Sequence, residues 1–92
     1  MKFRKKPVVI EAVRFDGTPE SVAEIMALAK DPGAVVAEAL GGGALIIHTL
    51  EGPMTCWLGS WVIRGVAGEL YPCNPDIFEQ TYEPVEELEA GR

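Results

Sequence analysis

Between Pro7 and Phe15 the chain reads PVVIEAVRF, a run dominated by β-branched and apolar residues. In an extended chain Val9, Glu11, Val13 and Phe15 share one side, and Val8, Ile10, Ala12 and Arg14 the other. A long strand over 7–15 is predicted. The period then changes: in DGTPESVAEIMALAKDPG, Val22, Ile25, Met26 and Ala29 recur at helical spacing. Thr18 is placed to cap that helix, with Pro19 at its first position and Glu20 near its positive end. Asp31-Pro32-Gly33 stops it, so one amphipathic helix of about three turns is predicted.

From residue 34 onward the punctuation is that of a sheet. AVVAEAL (34–40), GGG (41–43) and ALIIHTL (44–50) read as strand, loop and strand. MTCWL, WVIRGV and ELYPC follow, separated by Gly59-Ser60 and Ala67-Gly68. Near the end, YPCNPDIF encodes a corner. Pro72 cannot donate to a ladder, so its strand lies at an edge or ends there. Asn74 before Pro75 reads as a cap followed by a first-turn proline, with Asp76 favourably placed. A single helical turn near Pro75–Phe78 is expected to plug Ile77 and Phe78 into the core, with EQTYEPV leaving as a last strand. The fold class is therefore α+β: a small, mainly antiparallel sheet of about five to six strands packed on one amphipathic helix. Residues 1–85 are expected to form a single domain and 86–92 an acidic, frayed tail.

Composition narrows the functional classes. With 48% hydrophobic and 24% charged residues the chain has the make-up of an ordinary globular domain. The net charge of −6 disfavours nonspecific nucleic-acid binding. Glu11 and Arg14 interrupt the apolar stretch that follows the basic start, so no signal-peptide core is expected. No apolar run is long enough to span a membrane, and an intracellular protein is expected. Half of the eight basic residues, Lys2, Arg4, Lys5 and Lys6, lie within the first six positions, whereas Asp76, Glu79, Glu83, Glu86, Glu87 and Glu89 make the other end acidic. Cys56 and Cys73 lack the spacing of a disulfide framework or, with His48, of a zinc site, so free thiols and no metal or cofactor are expected.

Each chemically interesting residue has a structural reading beside a functional one. Trp57, Trp61, Tyr71, Phe78 and Tyr82 are the bulk available for a core. Arg64, the only basic residue between Lys30 and Arg92, either pairs with a carboxylate such as Glu69 or points at an anion. By strand alternation Trp61 and Arg64 face opposite sides. His48 alternates with Ile46 and Leu50 in a strand, and no base is evident for Cys73. No nucleophile-elbow, phosphate-loop or dinucleotide-binding motif is present. An enzyme is not expected, and Cys73 is expected to tolerate replacement by Ser or Ala.

The two ends, MKFRKKPVVIEAVRFDG and WVIRGVAGELYPCNPDIFEQTYEPV, resemble a family of small phage and prophage proteins. These share a start of the type K-K-P-V-x-I-E-A and an end of the type G-D-W-I-x-R-G-V-x-G-E-x-Y-P-C-x-P-D-I-F-x-x-T-Y-E; this chain has Ser60 where the family usually has Asp. The resemblance implies a phage origin and a place in the cytoplasm of a bacterial host, rather than a chemistry. The resulting expectation is a non-enzymatic, homo-oligomeric binding protein. It would counter host defence by sequestering a small anionic, nucleotide-like signal or by blocking a host protein. Arg64, Arg14, Trp61, Tyr71, Arg4, Lys5 and Lys6 are the candidate contacts, basic groups for phosphate and aromatic faces for a base. The alternative is a structural or assembly component of the phage particle.

Overall fold

The computed structural model describes residues 1–4, 6–30, 32–39 and 43–85. In chain order they form β1 (Glu11–Arg14), α1 (Pro19–Leu28), a 3₁₀ turn at Pro32–Ala34, β2 (Val35–Ala39), β3 (Ala44–Thr49), β4 (Gly52–Trp57), β5 (Trp61–Arg64), β6 (Leu70–Cys73) and α2 (Pro75–Thr81). The class is α+β and all pairings are antiparallel, but the strands divide into two sheets where one was expected: β1-β5-β6 and β2-β3-β4. The change of sheet occurs at Gly59, whose φ of 92° turns the backbone. Its N–H donates to the Phe15 carbonyl at 2.7 Å, and the Phe15 N–H donates to the Ser60 carbonyl at 2.9 Å. The next strand is thereby laid beside β1 rather than beside β4.

Alternation in both sheets directs one face inward. Val13 and Val62 meet across β1 and β5, and Leu45 lies opposite Cys56 across β3 and β4. With Phe15, Ile25, Val35, Ile47 and Leu70 these residues form one core. Helix α1 packs on β1 and β2, while β6 packs on β3 and β4, so the two sheets close on each other along both sides. The inward stripe of α1 is Ser21 and Ile25, flanked by Val22, Leu28 and Ala29. Met26, expected on that stripe, is exposed. Burial of Ser21 is satisfied because its hydroxyl donates to the Thr18 carbonyl at 2.9 Å. The Thr18 hydroxyl accepts the Ser21 N–H and donates to the Asp16 carboxylate at 2.6 Å. That bond first, then the Thr18 N–H and the Ser21 hydroxyl, holds the Asp16 carboxyl down at about 2.

The strand predicted over 7–15 is paired only at Glu11–Arg14. Its partner β5 ends at Arg64 and turns away at Gly65, so Pro7–Ile10 have no rung to meet in this sheet. Val8 and Val9 are left exposed, as are Met1 and Phe3 further out. At the other end, Asn74 caps α2 as read from the sequence, its side chain accepting the Asp76 N–H at 2.9 Å. The helix, however, continues to Thr81, with Tyr82 as an extended C-cap, so the expected last strand is replaced by a second helical turn. Ile77 is exposed instead of plugged into the core. Trp57, adjacent to inward-facing Cys56, points outward and is exposed as well. The GGG loop, apart from Gly43, and the tail from 86 lie outside the described residues.

Candidate functional site: an aromatic groove beneath α2

The sheet β1-β5-β6 has a second face. Two registered rows make it: Ala12, Ile63 and Tyr71, then Arg14, Trp61 and Cys73. Helix α2 lies over this face. Phe78 stacks on Trp61, with ring centroids 4.2 Å apart and planes 8° from parallel, and Tyr82 follows Phe78 at 5.0 Å and 34°. Phe78 and Tyr82 are four residues apart, so a helix reaching Thr81 places both rings along the same side. The same spacing aligns Glu79 with Glu83.

Beside this cluster runs a groove of about 650 Å³. Its floor is Ala12, Trp61 and Phe78; Val8–Ile10 line one side and Tyr82–Val85 the other, with Glu79 and Glu83 also lining it. Both sides lie outside any ladder or helix, since β1 begins at Glu11 and α2 ends at Thr81. The surface offered is apolar and aromatic, with two exposed carboxylates. Such a site is suited to an extended, apolar segment bearing positive charge.

The residues proposed from sequence do not converge. Trp61 is in the groove floor. Tyr71 lies on the same face, its phenol pushed up to about 12 by burial first, then by its hydrogen bond to Tyr82 and by the nearby Tyr82, Glu69 and Cys73. Arg14 shares a row with Trp61, but its Nε–H donates to the Gly59 carbonyl at 3.1 Å. Arg64 faces the other way and pairs with Glu11 at 3.1 Å, across β1-β5 rather than with Glu69 across the hairpin. Both partners are well exposed, so the pair contributes ~0.2–1 kcal/mol. Arg4 and Lys6 are exposed on the N-terminal segment; Lys5 lies outside the described residues.

Glu69 has a local task. Its carboxylate accepts the Ala67 N–H at 3.0 Å and folds over Gly65, where a Cβ would overlap it. With Gly68 at φ 88°, the Gly-Val-Ala-Gly-Glu run thus forms the β5-β6 turn.

His48 lines a separate cavity of about 500 Å³ with Lys30 and Glu69, whereas Cys73 lies beside Trp61. Burial raises the Cys73 thiol above its ordinary value, which lowers its thiolate fraction. Among the described residues no cluster of three or more His, Cys, Asp or Glu is placed to hold a metal, and no helix is long and apolar enough to cross a membrane.

Val8–Ile10, Phe78, Glu79, Tyr82, Glu83 and Val85 were not read as site residues from the sequence. The signal available for four of them was the pair of i, i+4 repeats, Phe78/Tyr82 and Glu79/Glu83, visible once the helix is extended past Phe78. Comparison of the chain with protein-family models, with curated proteins and with solved structures finds no match.

Proposed function

We propose that this protein is a phage-encoded, non-enzymatic binding module that acts in the bacterial host by occupying a segment of another polypeptide with its aromatic groove. The observation that carries the reading is the groove itself: Trp61 and Phe78 in its floor, segments outside any ladder or helix on its sides, and Glu79 and Glu83 as its charged groups. An added peptide segment there gains an apolar, aromatic surface for its side chains. The phage setting rests on the sequence resemblance of the two ends. Of the two host-directed modes, blocking a protein has more behind it than sequestering an anion. Arg64 and Arg14 are already engaged, by Glu11 and by the Gly59 carbonyl, and the groove carries acidic rather than basic groups.

Amide and indole NMR shifts of labelled protein test this reading. A synthetic peptide alternating phenylalanine and lysine is expected to move the resonances of Trp61, Phe78, Tyr82 and Val85. Its phenylalanine–aspartate counterpart and a panel of cyclic and linear nucleotides are expected to leave them in place. Shifts produced by a nucleotide and centred on Arg14 or Arg64, with none from the lysine peptide, would overturn it.

A further inference from the structure

Resting on that reading, we infer that the groove's first ligand is this protein itself: the segment ahead of β1 in one copy lies in the groove of a second copy, and the exchange is reciprocal. The segment has the chemistry the groove selects. In extended form Met1, Phe3 and Lys5 fall on one side and Lys2, Arg4 and Lys6 on the other. The two apolar side chains find no cover on their own molecule, Phe3 being 87% exposed. Laid along a neighbour's groove, they would meet the Trp61–Phe78 floor while the basic side chains approach Glu79 and Glu83. One chain thus carries both halves of a complementary pair, apolar to apolar and positive to negative.

Connectivity explains why the exchange is between copies. Val8–Ile10 already line their own groove, whereas Phe3 is not among its lining residues and is exposed. The four residues from Phe3 to Pro7 reach about 14 Å in extended form. Across a two-fold axis that reach carries Phe3 of each copy to the other's floor, and the contact is then the same on both sides, as a closed dimer requires. Val85, exposed at the groove's edge, would be covered in the same step. The site is complete only in the dimer, because each copy supplies the sides of one groove and the occupant of the other.

Sedimentation equilibrium of the full chain tests this inference. The wild type is expected to be a dimer, and Phe3→Glu, on a side chain that supports nothing in its own fold, to raise the dissociation constant at least about tenfold. Glu79→Lys with Glu83→Lys should weaken the dimer. Adding Lys2→Glu, Arg4→Glu and Lys6→Glu to that variant should restore it, with unchanged circular dichroism throughout. Rescue by the second charge reversal is an effect that misfolding does not imitate. A monomeric wild type, a dimer indifferent to Phe3→Glu, or failure of the charge rescue would each overturn the exchange. The groove reading would stand in all three cases if the lysine–phenylalanine peptide still moves the Trp61 and Tyr82 resonances.

Discussion

Tyr71 is the residue whose environment is easiest to interrogate. Its phenol is pushed up from 10.0 to about 12, chiefly by burial and then by the hydrogen bond and charge of Tyr82. The folded value therefore lies above the unfolded one. The stability linked to it is fully present below pH 10 and is lost as pH rises towards 12. In Tyr82→Phe, Tyr71 is the remaining tyrosine of the two in the chain. Its absorbance titration is expected to have a midpoint below about 12, and the alkaline loss of stability should shrink with it. An unchanged midpoint would mean that burial alone sets the value.

At the scale of elements, α2 holds the site together through its N-cap. Asn74 satisfies the Asp76 N–H, and Phe78, one turn on, rests on Trp61. Asn74→Ala is expected to cost about 1 kcal/mol and to loosen that stack, whereas Asn74→Asp should retain most of the cap. Urea unfolding followed by tryptophan emission reads both effects if Trp57, an exposed residue, is first replaced by Phe so that Trp61 alone reports. The start of this helix was legible because Asn-Pro-Asp is local chemistry. Its end was not: Thr81 and Tyr82 have strand propensity, yet the helix runs through Thr81 and the Tyr82 N–H closes on the Phe78 carbonyl at 2.9 Å. The same limit applies to β1, whose sequence reads as strand over nine positions but which pairs over four because its partner runs out. Most of the groove lining lies beyond these two boundaries, in Val8–Ile10 and Tyr82–Val85, and so Trp61 alone of its floor was read as a contact from the sequence while its sides were not.

For the whole molecule, the core between the two sheets makes a prediction about its thiols. Cys56 has no exposed surface, and burial pushes its thiol up to about 11, while Cys73 is partly exposed on the outer face of β6. A disulfide reagent at neutral pH is expected to modify one thiol per folded chain, identifiable as Cys73 by peptide mass, and both in urea. Rapid modification of Cys56 in the folded state would mean that the sheets separate readily. That the fold is α+β and antiparallel could be read from the alternation and the turn residues. Its division into two sheets could not, because it depends on Gly59 joining Phe15, a contact between distant parts of the chain. The pairing of β1 with β5 also sets an order in time. Arg14 meets Trp61 and Glu11 meets Arg64, so on the ribosome β1 must wait until residues 61–64 have been made before it finds its place. The segment ahead of β1 is consequently made well before the strand that β1 pairs with.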